Sequence, residues 1–230
     1  MIDVSNLKDT LKTLGFIAYG DIHEKVFPEI GCSLKVDFHA KKLIYPNEIK
    51  GRERNDSFDQ KENFVVFECV CRLLSKGYRP EHIELEKEWH LGHDAKGGRA
   101  DICVSDTSGN MLFIIECKTW GREYDKALNN TKSDGAQLFS YWQQEQSCKW
   151  LVLYASDLRS GCIAYKAPTI DCSDDANIIL LSKKDKSIKL YRDAHTTSAK
   201  YEAWKETYGS QIHDDLIFSE DSVAYQIGVK

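Results

Sequence analysis

Residues 99–118 read RADICVSDTSGNMLFIIECK, and the fold turns on this stretch. Two extended, largely apolar runs, RADICVSD and MLFIIECK, flank the polar turn TSGN, which is the pattern of an antiparallel hairpin. The run Leu112, Phe113, Ile114 and Ile115 commits the second strand to the core. At its end Glu116 and Lys118 stand two positions apart, so both project from one face while Cys117 points to the other. The hairpin brings Asp101 beside them. A carboxylate pair and an amine at the end of a buried strand do not read as a solvated face.

Working outward, HIELEKEWHL (82–91) also alternates with a period of two, and the glycine-rich segment GHDAKGG (92–98) joins it to the next strand. Two consecutive tight connections predict a three-stranded antiparallel meander. Upstream, DQKENFVVFECVCRLLSK (59–76) carries a nearly continuous apolar set closed by Gly77, the mark of a mostly buried helix. Downstream, DGAQLFSYWQQEQ (134–146) reads as a helix and KWLVLYAS (149–156) as a central strand. The order helix, three strands, helix, strand is that of an α/β sandwich.

At the N-terminal end, DVSNLKDTLKTL (3–14) places Val4, Leu7, Leu11 and Leu14 on one helical face. Alternation on both sides of HAKK predicts a hairpin over 32–45. NEIKGRERNDSFDQ (47–60) is polar and without period, and is expected to be a linker. The chain therefore divides into an N-terminal helix and hairpin appendage (1–55), a core (56–170) and a C-terminal extension (171–230). Further strands are expected in SGCIAYKA (160–167) and NIILLSKK (177–184). SAKYEAWKETYG (198–209) is expected as a helix, with Trp204 and Tyr208 in its core face.

The composition is that of a globular domain: 230 residues, 42% hydrophobic, 29% charged and only four prolines, enough chain to bury a full core. No apolar run approaches the ~20 residues needed to span a bilayer. The first residues also lack the order of a signal peptide, so a cytoplasmic location is expected. Eight cysteines without a CxxC spacing point to reduced thiols rather than structural zinc. His90 and His93 lie where a strand enters a glycine turn, which reads as a surface loop. A net charge of −5 argues against coating of nucleic acid by bulk positive charge, although a local stripe of Lys and Arg can still contact phosphates.

Asp101 followed by Glu116, Cys117 and Lys118 resembles the D…(D/E)XK signature of the restriction-endonuclease-like, or PD-(D/E)XK, nuclease superfamily. Ala100 stands where the motif's name has proline. The resemblance implies an α/β fold with the αβββαβ core and a mixed central sheet. It also draws in Glu62, placed like the further acidic residue many members carry at the start of the preceding helix, with Glu68 as its rival. Gln137 and Tyr141 resemble the QxxxY motif of the branch that contains RecB-type exonucleases and type I restriction motor subunits. Four apart, they share one helical face. Over about residues 60–156 the chain is similar to the N-terminal nuclease domain of type I restriction endonuclease subunits and of fused restriction-modification proteins.

The chemistry this implies is phosphodiester hydrolysis in DNA with Mg2+, for which Mn2+ substitutes. Asp101, Glu116, the Cys117 backbone carbonyl and Glu62 are the expected metal ligands. Lys118 is expected to position or deprotonate water, or to stabilise developing charge. Lys96 and Arg99, flanking Gly97 and Gly98, read equally as phosphate contacts or as a solvated hairpin. Trp120, Gly121, Arg122 and Tyr124 read as a loop that grips DNA or as a packed connection. The expected partners are double-stranded DNA and the motor, methyltransferase or specificity modules of a restriction-modification or phage-defence system, since no such motif is recognisable in the chain. The competing readings are a silent nuclease-fold assembly module and a stand-alone repair nuclease.

Overall fold

The computed structural model describes residues 1–91, 95–173 and 224–225. In chain order the elements are α1 (Leu7–Thr13), β1 (Ile17–Tyr19), β2 (Ile22–Phe27), β3 (Cys32–Asp37), β4 (Lys42–Ile44) and α2 (Lys61–Ser75). They continue with β5 (Ile83–Leu91), β6 (Ala95–Ser105), β7 (Met111–Cys117), α3 (Arg122–Asp134), α4 (Ala136–Gln144), β8 (Trp150–Arg159), β9 (Cys162–Lys166), β10 (Thr169–Asp171) and β11 (Ala224–Tyr225). The expectations for 177–184 and 198–209, with Trp204 and Tyr208, lie outside the described residues. So do His93 and the side chains of His90 and Lys96.

The second half builds a mixed sheet in the order β11-β9-β8-β7-β6-β5, with β10 paired to β8. β5, β6 and β7 form the expected meander, antiparallel throughout. β7 and β8 run parallel, Glu116 opposite Leu153. Parallel neighbours need a crossover long enough to return the chain, and α3 with α4 supplies it. Every residue of β7 is buried. At about 1.5–3 kcal/mol for each fully buried large apolar side chain, this strand anchors the sheet.

Alternation along β8 sorts the two sides. Trp150, Val152 and Tyr154 join the cluster around α2, while Leu151, Leu153 and Ala155 join the one holding Tyr124, Leu138 and Tyr141. The sheet is thus sandwiched between α2 on one face and α3 with α4 on the other. This is the α/β, restriction-endonuclease-like αβββαβ core.

The first 45 residues form α1 and a separate four-stranded antiparallel sheet, β1-β2-β3-β4. The hairpin expected at 32–45 is present as β3 and β4. The one before it, β1 with β2, has no counterpart in the sequence reading, because β1 is three residues long and exposed at each of them. α1 starts later than expected. Asp3 and Asn6 close a turn in front of it, the Asp3 amide donating to Asn6 Oδ1 at 2.9 Å, and Val4 is left 53% exposed. Ile2, Leu11, Leu34 and Val36 nonetheless share one hydrophobic cluster with Phe64, Val66, Ile115 and Val152.

The stretch 47–60, expected as a linker, is instead held along the edge of β5. The Leu85 amide donates to Lys50 O at 2.8 Å, Ile49 is fully buried, and Lys50 pairs with Glu84 in a parallel bridge. At Gly51, where φ is +70°, a Cβ would lie 1.9 Å from Leu85 O, so only glycine fits. No helix among the described residues is long and apolar enough to cross a membrane. All eight cysteines are free.

α2 carries an ion pair into the core. The Arg72 guanidinium donates to Tyr154 Oη at 2.9 Å, Tyr154 donates to Glu68 Oε2 at 2.6 Å, and Arg72 lies 3.5 Å from the Tyr165 ring centroid. Glu68 and Arg72 are 1% and 2% exposed, so neither charge has water to fall back on. Replacing Glu68→Leu takes the carboxylate from a buried guanidinium and is expected to lower stability by about 3–5 kcal/mol, read by urea denaturation.

Candidate active site

The three residues that opened the sequence reading are brought together by strand register. Asp101 lies on β6, one position before Ile102, which faces Ile115 on β7. Glu116 is the last outward step of β7 toward α4. The Lys118 amide extends the parallel ladder by donating to Tyr154 O at 2.8 Å. Asp101 Oδ2 accepts the Cys117 amide at 2.6 Å, tying the carboxylate to the backbone between the other two residues. The Cys117 side chain points away and is fully buried among the α2 cluster.

Lys118 is the centre of the cluster. Its ammonium donates to Glu116 Oε1 at 2.6 Å and to Glu62 Oε1 at 3.1 Å. Glu62, in the first turn of α2, therefore reaches the site from the opposite layer of the sandwich. Its rival Glu68 is turned into the core network of Arg72 and Tyr154.

The electrostatics follow from crowding carboxylates in a partly dry place. Burial raises the Asp101 carboxyl well above its ordinary range, and the Glu116 carboxylate adds to that rise against the pull of Lys118. Glu116 is raised as well, by burial, with Lys118 and the Tyr141 hydroxyl opposing. Burial alone would lower Lys118, but Glu116, Asp101 and Glu62 overturn it and the ammonium is held more firmly than in water.

Tyr141 of α4 reaches across to Glu116. Its hydroxyl lies 2.9 Å from Glu116 Oε2 and 2.7 Å from Arg99 O, both acceptors for its one proton. Gln137 donates to the same hydroxyl at 3.4 Å. Burial first, and then the Glu116 charge, push the phenol upward, so it stays a donor. All six candidates, Asp101, Glu116, Lys118, Glu62, Gln137 and Tyr141, thus lie in one connected set.

Two supports of that set were not anticipated. Trp89 of β5 stacks on the Tyr141 ring, with centroids 5.6 Å apart and planes at 24°. A Cβ at Gly98 would stand 2.5 Å from Tyr141 Cε1, so the ring lies directly on the glycine backbone. The sequence offered only the GlyGly pair as a hint.

The connection after Lys118 also differs from the expected loop. Arg122 opens α3, and Tyr124 is buried. Trp120 is partly buried under two cations, Arg159 at 4.5 Å and Lys166 at 4.6 Å from its ring centroid. Spacing could have revealed α3, since Tyr124, Ala127, Leu128 and Thr131 stand at i, i+3, i+4 and i+7.

Among the described residues, no group of three or more His, Cys, Asp and Glu is arranged to hold a metal ion. The Lys118 ammonium lies between Glu62 and Glu116 and donates to both.

A sandwich of this topology, with an acid on the second meander strand and Glu-x-Lys ending the third, is a restriction-endonuclease-like core. Residues 62–171, just under half of the chain, match the family model described as type I restriction enzyme R protein N terminus. The span contains every candidate site residue, and the family is the one that Asp101, Glu116, Lys118, Gln137 and Tyr141 had suggested by resemblance. No curated protein matches the chain.

Adding a methyl at Gly98 forces the Tyr141 ring off its seat. Gly98→Ala is expected to cost about 1–3 kcal/mol, as for other overpacked positions, and to break the Tyr141 contact to Glu116. Thermal unfolding of Gly98→Ala beside Tyr141→Phe checks this, the first variant losing more stability than the second.

Proposed function

We propose that this chain is a Mg2+-dependent DNA endonuclease module of a restriction-modification or phage-defence system, with Mn2+ able to replace Mg2+. The observation that carries the proposal is the gathering of Glu62 and Glu116 on Lys118, with Asp101 tied to the adjoining Cys117 amide, at the end of a buried strand. Such a concentration of carboxylates is costly unless a cation answers it. The family match supports the restriction setting, in which further modules supply DNA translocation and target reading.

The donor set suits a hard cation: Asp101, Glu116 and Glu62 offer carboxylate oxygens, and the Cys117 carbonyl a fourth oxygen. Bound there, Mg2+ would neutralise charge on the scissile phosphate and lower the pKa of the attacking water. Glu116 would then be shared between that cation and the Lys118 ammonium.

The protein's own groups then have separate tasks. Lys118, held as an ammonium by its neighbours, offers positive charge where the phosphate gains negative charge. Tyr141 fixes the second Glu116 oxygen, so that the carboxylate keeps one orientation. Gln137 holds the Tyr141 hydroxyl from the same helical face.

Incubating plasmid and linear DNA with the full chain and Mg2+ or Mn2+ tests the assignment. Wild type is expected to cut. Glu116→Ala is expected to lose both cleavage and Mn2+ binding measured by calorimetry. Lys118→Ala is expected to lose cleavage by about a hundredfold or more while still binding Mn2+, because its competitor for Glu116 is gone. Cleavage persisting in both variants would remove the site. A wild type that binds DNA but neither cuts nor takes up Mn2+ would make the chain a silent assembly module.

A further inference from the structure

Beside Glu116 and Lys118 opens a cleft of about 240 Å³ whose far wall is α3. Glu123, Lys126 and Asn130 line it from that helix, together with Gln137 and Leu153. The positions 123, 126 and 130 stand together on the polar side of α3, next to the packed face formed by Tyr124, Ala127 and Leu128. The first three are exposed and polar. Ala127, between them, is too small to fill the space, and Thr131 turns its hydroxyl back to Ala127 O at 2.9 Å. This wall therefore presents exposed polar groups to the cleft.

Charge says what. Were Glu62, Asp101 and Glu116 all ionised around a bound cation, as ligation would require against the upward shifts of Asp101 and Glu116, the single ammonium of Lys118 would leave them with an excess of negative charge. One divalent cation brings that excess to about zero and gives no net attraction for a polyanion. The Lys118 charge is already counted in that sum; Glu116 and Glu62 hold it at 2.6 and 3.1 Å. On the α3 wall the charges that line the cleft are one of each sign, Glu123 and Lys126, so attraction for phosphate is local to Lys126. Lys126 is the cation there, and among the described residues no carboxylate lies within ion-pair distance of it.

We infer that α3 is the substrate-facing wall of the cleft, and that Lys126, assisted by Asn130 one turn further on, binds a backbone phosphate of the DNA strand next to the one that is cleaved. Its role rests on the nuclease reading above. A lysine presents a compact point charge, which grips phosphate without reading sequence. The Asn130 amide offers a donor on the same face. Glu123, one turn before Lys126, repels phosphate and so confines it to the Asn130 end of the wall.

Binding of fluorescein-labelled duplexes to the full chain tests this without asking whether the chain cuts. Anisotropy is measured on two unrelated sequences across a salt series, in EDTA and again in Ca2+. Lys126→Ala is expected to weaken both duplexes by the same factor and to lower the slope of log K against log salt by about 0.9, the value for one phosphate contact. Lys126→Arg should restore the slope and Lys126→Gln should not. Both keep an exposed helical position filled, so a folding defect would strike them alike and be seen by circular dichroism. An unchanged slope in Lys126→Ala, weakening on one sequence only, or a wild type that binds neither in EDTA nor in Ca2+ overturns the assignment. Failure of the nuclease reading shows separately, as cleavage surviving in Glu116→Ala and Lys118→Ala.

Discussion

Strand β7 is buried on both faces along its whole length and runs straight into Glu116, Cys117 and Lys118. That constraint organises the molecule. A strand covered on both sides must have layers to cover it, and α2 provides one while α3 and α4 provide the other. Because the apolar run holds β7 in register with β6 and β8, its polar end is delivered to a fixed place. Sliding the strand by one residue would bury Glu116 and Lys118 on the α2 side and turn Cys117 toward α4.

Each layer then contributes a side chain to that place. Glu62 comes from the start of α2, Asp101 from β6, and Tyr141 with Gln137 from α4. No single segment could assemble the cluster, and it exists only where three layers meet. The dry surroundings that hold β7 also raise Asp101 and Glu116. Packing and electrostatics are linked here: the packing that fixes the carboxylates is what makes their charges costly.

The same layering separates two polar systems that share α2. Glu68 and Arg72 lie about 1.7 and 2.8 turns beyond Glu62, yet they close on Tyr154 and Tyr165 inside the core. Glu62 stays at the rim with Lys118. A helix rotates by about 100° per residue, so acids six positions apart on α2 meet different surroundings, one inside the core and one beside Lys118.

The sequence by itself determined the meander, the buried helix α2, the central strand β8 and the juxtaposition of Asp101, Glu116 and Lys118. Those follow from alternation and apolar runs, which are properties of neighbouring residues. It also placed Gln137 and Tyr141 on one helical face. The tertiary structure alone decided that Glu62 rather than Glu68 reaches Lys118, that Tyr141 rests on Gly98 and Trp89 while touching Glu116, and that residues 47–60 run along β5. It also turned the segment after Trp120 into a helix whose polar side faces the cleft. Each of these depends on how one element is rotated or laid against another far away in the chain. That choice is made by the packing of the two hydrophobic clusters, and no local pattern records it.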